Sequence, residues 1–193
     1  MNSGQHKGEI TMKKLYIHSM AILTSIITLS CTSKPEGVEP VKGFKLDNYL
    51  GKWYEIARLD HSFERGLSNV TAEYSMREDG GVKVLNQGYS DKNEKWKKAT
   101  GKAYFLGDKD EAHLKVSFFG PFYGSYIVTQ LDHENYQYSL VCGPSKKYLW
   151  ILARKPQLDD KIKDKLVKFA KDKGFDTDAL LFIKHDKADE EKN

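Results

Sequence analysis

The side chains best suited to chemistry in this 193-residue sequence are two cysteines and six histidines. A thiolate can act as a nucleophile or a metal ligand, and a histidine can act as a base or a ligand. His61, His113, His133 and His185 are scattered, however, and none has a partner at the spacing of a metal site. Cys142 lies in a strand-like segment with no base beside it, which favours an inert buried cysteine. The sequence therefore predicts no catalytic residue, no metal and no cofactor, and a protein that is not an enzyme.

The other cysteine, Cys31, ends an export signal. Two lysines precede an apolar stretch over residues 15–29, which is shorter than the roughly 20 residues of a membrane-spanning helix. Residues 28–31, Thr-Leu-Ser-Cys, resemble the lipobox of bacterial lipoproteins, where the cysteine is acylated after cleavage. Cleavage by the ordinary signal peptidase, beside an incidental cysteine, is the alternative. We expect residues 1–31 to be a lipoprotein signal segment, cleaved before Cys31, and acyl chains on Cys31 to anchor the protein.

The residue after the anchor and the bulk charge bear on location and partners. Thr32, rather than aspartate, follows the cysteine, which by the enterobacterial sorting rule favours the outer membrane. The net charge of +4 is too small for a nucleic-acid-binding field, and no basic run is interleaved with aromatic residues. We expect a lipid-anchored protein of the bacterial outer membrane, with no nucleic-acid partner.

Short alternating segments dominate the chain from residue 53 to residue 154. Eight of them have the pattern of β-strands, and the breaks between them carry Gly, Asn and Asp, which favour hairpin turns. Such a series is typical of an antiparallel up-and-down barrel or a sandwich. A closed barrel of eight strands has room for one small ligand. The expected strands are 53–59, 70–76, 81–89, 95–106, 113–118, 124–132, 136–142 and 148–154.

The periodicity changes to helical spacing after Pro156. Apolar residues recur from Ile162 to Ala170, an aspartate at 159 or 160 can cap the start, and Gly174 can end the helix. A short strand is expected at 180–183. In the last barrel strand both faces are apolar, as expected where one face lines the lumen and the other lies beneath the helix.

The ends of the mature chain have no apolar periodicity. Residues 32–43 contain two prolines and two glycines, which predicts a tether between anchor and barrel. The charged residues 187–193 predict a disordered tail. The folded domain is therefore expected over residues 44–186.

Three motifs, in order along the chain, resemble those of the lipocalin family. Gly51 and Trp53 are similar to the Gly-x-Trp signature of its first strand. Residues 124–128 lie where the family has its second motif, although the usual Thr-Asp before the tyrosine is missing. Arg154 matches the arginine of its last strand. The resemblance covers about residues 44–184 and is especially marked to bacterial outer-membrane lipoprotein lipocalins and their animal relative apolipoprotein D.

This resemblance implies an all-β fold: an eight-stranded antiparallel up-and-down lipocalin barrel with one C-terminal α-helix packed on its outside. In the family the signature tryptophan closes the narrow end and the arginine lies across its face. Gly51, Trp53 and Arg154 are therefore expected to be structural. The loop 59–68 is expected to cover the open end, with Phe63 and Leu67 either as apolar lid residues or as residues that pin the loop.

The expected function is to bind and store or transport small lipids, such as palmitate-like fatty acids or lysophospholipids, in the cell envelope. Arg58, Arg65 or Lys115 could meet an acidic head. A haem or pigment ligand, an enzyme using Cys142 and a structural protein with a filled barrel are the alternatives, and a homodimer is left open. For each aromatic candidate, ordinary barrel core is the alternative to ligand contact. The candidate ligand contacts are Phe118, Phe122, Tyr126, Tyr138, Tyr148 and Trp150.

Overall fold

A computed structural model describes Met1 and residues 32–187 of the chain. The expected signal segment, Cys31 and residues 188–193 of the expected tail lie outside the described residues. The described chain forms nine antiparallel strands and two α-helices. These are α1 (Leu46–Tyr49), β1 (Gly51–Leu59), β2 (Leu67–Met76), β3 (Val82–Ser90), β4 (Lys95–Phe105), β5 (His113–Ser117), β6 (Gly124–Leu131), β7 (Tyr138–Cys142), β8 (Leu149–Ala153), α2 (Asp160–Asp172) and β9 (Leu180–Phe182).

The sheet closes on itself. Strands β2 to β8 follow one another in hydrogen-bonded order, β8 pairs with β1, and β1 pairs back to β2. The short strand β9 extends the sheet beside the last part of β1. The expected eight-stranded up-and-down barrel is therefore confirmed, and its closure leaves no free edge among these eight strands.

Local turn chemistry decides where some elements begin. Strand β7 begins at Tyr138 rather than at Tyr136, because Tyr136 has a φ of 53° and donates its N–H to the carbonyl of Asp132 at 2.9 Å. At the start of α2, the Asp159 carboxylate accepts the N–H of Lys161 at 2.9 Å, the N-cap that the sequence predicted. The four-residue helix α1 was not predicted.

Two apolar clusters lie on opposite faces of the sheet. Leu166 and Ala170 of α2 pack against an outer cluster that includes Ile151. Trp53 and Leu152 belong to a second cluster inside the barrel. The outside position of the helix and the two apolar faces of β8 are as expected from the sequence.

The segment 32–43, expected to be a tether, runs along the outside of the barrel. Val41 donates its N–H to the carbonyl of Val128 at 2.9 Å and accepts the N–H of Ala112 at 3.0 Å. Val38 is buried in the outer cluster. Over this stretch the chain is therefore not a free linker, because two valines fix it to the sheet. The prolines and glycines around these valines are typical of a linker, so composition did not indicate that the segment packs on the barrel.

Hairpin connectivity gives the barrel two distinct ends. Loops 60–66, 91–94, 118–123 and 143–148 lie at one end, which we call the open end, and the hairpin loops 77–81, 106–112 and 132–137 lie at the closed end. At the closed end, Phe44 donates its N–H to the carbonyl of Asp110 at 3.0 Å. Lys45 donates its N–H to the Tyr136 hydroxyl at 2.9 Å. These contacts hold α1 across the closed end.

Candidate ligand-binding site

Cross-strand pairing defines which side chains face the lumen, because residues opposite each other in a sheet share a face. On β3 and β4 several inward positions carry small side chains, namely Gly88, Ala99 and Gly101, and Asn86 and Lys97 share this face. Ala99 pairs with Asn86 and is exposed although it lies on the inward face. The half of the barrel nearest the open end is therefore accessible to solvent and lined at this wall by small residues.

A network of hydroxyl groups crosses the half nearest the closed end. The Tyr126 hydroxyl lies 2.8 Å from those of Tyr49 and Tyr74, and the Tyr49 hydroxyl lies 3.1 Å from Ser139 Oγ. Burial raises the pKa of Tyr49 to about 12 and the pKa of Tyr74 and Tyr126 well above the ordinary value. These three phenols are therefore neutral hydrogen-bonding groups in an apolar region.

The same tyrosines border a small cavity. Its volume is about 20 Å³, which is room for about one water molecule. An acyl chain of a lipid does not fit this volume, so a large ligand would lie above the tyrosines or displace them. The cavity is lined by Phe44, Leu46, Tyr49, Tyr74, Val82, Val84, Ala103, Leu114, Val116 and Tyr126.

Arg58 is the centre of a buried charged cluster near the open end. Its side chain is 2% exposed. Nη1 donates to Glu55 Oε1 at 2.6 Å, and Nη2 donates to the carbonyls of Glu64 and Leu67 at 2.7 and 3.3 Å. The guanidinium thus ties strand β1 to the loop 60–66 that covers this end.

Glu64 ties that loop to strand β8, which lies directly beside β1. Trp150 donates its indole N–H to Glu64 Oε2 at 3.0 Å, and His61 Nε2 lies 2.9 Å from the same oxygen. Burial opposes the charge of Glu64, but the contacts with His61, Trp150 and Arg58 outweigh it and lower the pKa. Burial, together with the neighbouring Glu64, raises the pKa of Glu55 well above its usual range. The contacts thus favour the ionised form of Glu64, and burial favours the neutral form of Glu55.

Three buried polar atoms in this region have no hydrogen-bond partner. They are Arg58 Nε, His61 Nδ1 and Asn86 Oδ1. Buried polar atoms in native proteins are nearly always hydrogen-bonded, and an unpaired one is costly. The arrangement can therefore form further hydrogen bonds with the polar part of a ligand.

Aromatic rings surround the entrance. The Phe63 and Tyr148 rings are nearly parallel with centroids 6.1 Å apart, and Tyr148 and Trp150 are nearly parallel at 6.2 Å. The His61 ring lies 4.1 Å from that of Phe63. The loop expected to act as a lid thus turns His61 inward and leaves Phe63 exposed.

The structure brings together four of the six sequence candidates for ligand contact. Trp150, Phe118 and Tyr126 pack with the inner cluster. Tyr148 lies at the entrance beside Trp150. Phe122 is 67% exposed in the loop 118–123, outside the lumen.

Tyr138 is a correction to the sequence expectation. It packs with the outer cluster beneath α2, on the same face as Leu140 and Cys142. Its side chain is therefore not placed to contact a ligand inside the barrel. Almost all of β7 is buried on both faces, so alternation alone could not indicate which face turns inward.

Only one of the three candidate cations lies inside the barrel. Arg58 is there, whereas Arg65 is exposed and pairs with Asp60 at 2.7 Å. Lys115 pairs in the sheet with Ser125, which bonds to the outer segment, so Lys115 faces outward.

The acidic part of the cluster, Glu55 and Glu64, was not predicted from the sequence, and neither was the place of His61 in it. Strict alternation puts Glu55 on the inner face with Trp53 but sends Arg58, three residues later, outward. A register shift between Glu55 and Ala57 instead turns Arg58 inward. The i,i+3 spacing of Glu55 and Arg58 was the one available signal for an ion pair. In a regular strand these two residues lie on opposite faces, so the spacing indicates a pair only if the strand has a bulge.

The closed end carries the family signature residues in one structural unit. Arg154 Cζ lies 3.9 Å from the ring centroid of Trp53, and the indole N–H donates to the carbonyl of Tyr49 at 2.8 Å. A Cβ on Gly51, which has a φ of 88°, would lie 3.5 Å from Arg154 Nη1. The guanidinium lies over the indole, as the resemblance implies.

Cys142 is fully buried, and burial raises the pKa of its thiol to about 12. We expect alkylation of Cys142 by iodoacetamide at neutral pH to be at least about 100-fold slower in the folded protein than in urea, because only the exposed thiolate reacts. Mass spectrometry of the tryptic peptide measures this directly. Equal rates in the two states would show that the thiol is accessible and reactive.

Two further observations concern the described residues alone. Within residues 32–187, no group of three or more His, Cys, Asp or Glu side chains is arranged to hold a metal ion. No helix in this part of the chain is long and apolar enough to cross a membrane.

A closed barrel with an apolar lumen and a polar cluster at its open end is the architecture of a small-molecule-binding β-barrel. The chain belongs to the lipocalin family: the family described as Lipocalin-like domain matches residues 44–185. Members of this family are generally binding proteins rather than enzymes.

Known proteins of two kinds are similar to this chain. It is 57% identical to Outer membrane lipoprotein Blc of Vibrio cholerae over 84% of this chain and 95% of that protein. It is 48% identical to Outer membrane lipoprotein Blc of Escherichia coli K12 over 84% and 93%. Insecticyanin of the tobacco hornworm Manduca sexta has the same fold, with a TM-score of 0.64 at 21% identity, covering 81% of this chain and 88% of that one. The protein is a bacterial outer membrane lipoprotein, as the sequence predicted, and binds a hydrophobic ligand.

Proposed function

We propose that this lipocalin binds single-chain lipids, fatty acids or lysophospholipids, and stores or carries them in the cell envelope. The acyl chain lies in the solvent-accessible half of the lumen, between Phe118, Trp150 and the small residues of β3 and β4. The acidic head lies near the entrance. The protein acts by uptake and release, without catalysis.

The observation that carries this proposal is the unpartnered buried donor Arg58 Nε, in the same cluster as the unpartnered His61 Nδ1. Both lie in the cluster at the open end, above an apolar lumen. A carboxylate or phosphate supplies acceptor oxygens for such donors, and charge-assisted hydrogen bonds are stronger than neutral ones. A lipid with one acidic head and one acyl chain therefore matches the barrel, because its head meets the polar cluster at the open end and its chain meets the apolar lumen.

The driving force for binding is burial of the acyl chain. Removing apolar surface from water contributes about 25 cal/mol per Å², before the costs of association are subtracted. The tyrosine network limits how deep the chain reaches, because the cavity beneath it holds only about 20 Å³. We expect the end of the acyl chain to contact the phenol rings.

Native mass spectrometry of the protein purified from its own envelope, followed by lipid extraction, tests the ligand class. A fatty acid or lysophospholipid at near-stoichiometric amount supports the proposal. A barrel that carries no lipid and takes up neither oleic acid nor lysophosphatidylethanolamine contradicts it. Displacement of bound lipid by haem at lower concentration than by fatty acid favours a flat cyclic ligand instead.

Filling the lumen should prevent binding. Ala99 lies on the inward face and is exposed, so the Ala99→Trp variant introduces a large ring into the lumen without displacing core. We expect the Kd for a fluorescent fatty acid to rise at least about tenfold, which corresponds to the loss of about 1.4 kcal/mol. Fluorescence titration measures it.

The neighbouring Thr100→Trp variant is the matched control. Thr100 is exposed and pairs with Leu85 on the outer face. It should bind the probe like the unmodified protein. Equal affinity of the Ala99→Trp and Thr100→Trp variants would show that the acyl chain does not lie in this part of the lumen.

A further inference from the structure

The described chain begins at the open end of the barrel. Ser125, the second residue after the loop 118–123, donates its hydroxyl to the carbonyl of Ser33 at 2.8 Å. Ser33 in turn donates its hydroxyl to the carbonyl of Pro144 in the loop 143–148, at 3.4 Å. From there the chain runs towards the closed end through Val41. Ser33 therefore lies on the outside of the barrel beside its entrance.

The most exposed aromatic side chains of the same end lie in its loops. Phe119 is 79% exposed, Phe122 is 67% exposed and Phe63 is 64% exposed. The first two belong to the loop 118–123, whose sequence Phe-Phe-Gly-Pro-Phe-Tyr carries no charge. Exposed apolar groups clustered in this way mark a surface that binds another apolar partner.

We propose that the open end docks on a phospholipid bilayer, with the Phe119 and Phe122 rings inserted at the level of the head groups. Aromatic side chains are favoured at this depth of a membrane. An acyl group on Cys31 would lie only two residues from Ser33, about 7 Å of extended chain. The anchor and the aromatic loop therefore meet one and the same surface. The entrance of the lumen faces that surface, which gives a lipid a path that avoids bulk water.

The charge distribution indicates which force drives this docking. The four loops of the open end contain as many acidic as basic side chains, namely Asp60, Glu64, Asp91 and Glu94 against Arg65, Lys92, Lys146 and Lys147. Net electrostatic attraction to anionic lipids is consequently small. Docking driven by the phenylalanines should be insensitive to salt, unlike the docking of a basic patch.

Depth measurement on the anchored full-length protein tests the proposal. The label is an environment-sensitive nitrobenzoxadiazole dye on Phe122→Cys, in a Cys142→Ala background, reconstituted in vesicles of phosphatidylethanolamine and phosphatidylglycerol. The matched control carries the dye on Leu106→Cys, at a partly exposed position of the closed end. For the label at position 122 we expect a blue shift of the emission, and we expect lipids that are spin-labelled near the head group to quench most of its intensity. The label at position 106 should show neither effect. Both results should be the same at low and high salt.

Each other result overturns the proposal. Emission from the Phe122 label that stays water-like and unquenched, as at position 106, shows that the loop does not reach the bilayer. A blue shift that grows with the protein-to-lipid ratio, and that is not accompanied by quenching from the lipids, assigns the surface to a second copy of this chain. A signal lost at high salt assigns docking to charge. A repeat with the dye on Phe119→Cys guards against a local effect of one label. The assay needs no lipid in the lumen, so its outcome is separate from that of the ligand-binding tests.

Discussion

Replacing Arg58 by methionine is expected to lower the free energy of unfolding by about 3–5 kcal/mol at neutral pH. The guanidinium is almost fully buried, and it bonds to the Glu55 carboxyl and to the carbonyls of Glu64 and Leu67. Methionine keeps most of the volume but none of the donors. The loss arises because the Glu55 carboxyl and two carbonyl groups remain buried without their donor, and because the ionised Glu64 loses a nearby positive charge.

The size of this loss should depend on pH. In the unmodified protein the pKa of Glu64 is lowered, so its stabilising contribution is present above the unfolded-state pKa and is lost as pH falls. Without the guanidinium we expect the Glu64 pKa in the folded variant to rise. The free energy of unfolding of the variant then falls as pH rises through and beyond the unfolded-state pKa of Glu64. Both effects act in the same direction. The difference between the two proteins is therefore largest at neutral pH and smaller near the unfolded-state pKa of glutamate, about 4.3.

Urea unfolding of the full chain at neutral and mildly acidic pH measures the effect. Arg65→Met is the matched control, because Arg65 is an exposed member of a surface ion pair with Asp60. Such pairs contribute about 0–1 kcal/mol. The double variant Arg58→Met, Glu64→Gln should recover part of the loss at neutral pH. A cost for Arg58→Met that equals that of Arg65→Met, or that does not change with pH, would contradict the buried ion cluster.

The fold could be predicted because the local signals in the sequence all indicate the same elements. Alternating apolar residues, Gly, Asn and Asp between them, and a helical period after Pro156 are local signals with short range. They failed where an element is too short to show a period, as in the four residues of α1. They also failed where a positive φ at Tyr136 delays the start of β7.

The site was predicted less well because it depends on features that alternation does not encode. A bulge in β1 turns Arg58 inward beside Glu55, and a folded loop carries Glu64 into the same place. Tyr138 was assigned to the wrong side because both faces of its strand are buried. Trp150 and Tyr126, in contrast, do pack with the cluster inside the barrel.

Trp53→Ala is expected to cost about 3–5 kcal/mol in the free energy of unfolding, the usual cost of removing a large buried aromatic side chain. Trp53 is 0% exposed and is covered by Arg154. Arg154 also donates to the carbonyls of Asn48, Lys52 and Tyr136 at 2.7, 2.8 and 3.2 Å. The pair therefore joins α1, β1 and the loop 132–137 at the closed end. Trp96→Ala, on the outer face and partly exposed, is the control for loss of a tryptophan and should cost less than half as much.

A double-mutant cycle with Trp53→Ala and Arg154→Met isolates the contact between the two side chains. We expect a coupling energy of about 0.5–2 kcal/mol, since the guanidinium lies directly over the ring. Additive losses would show that Arg154 stabilises the protein only through the three carbonyl groups. Arg154→Met should also leave the Kd for the fluorescent fatty acid unchanged, because the tyrosine network and the small cavity separate this contact from the half of the lumen proposed to hold the chain. A large rise in Kd would place the acyl chain at the closed end, and would mean that Tyr49, Tyr74 and Tyr126 move apart when a ligand binds.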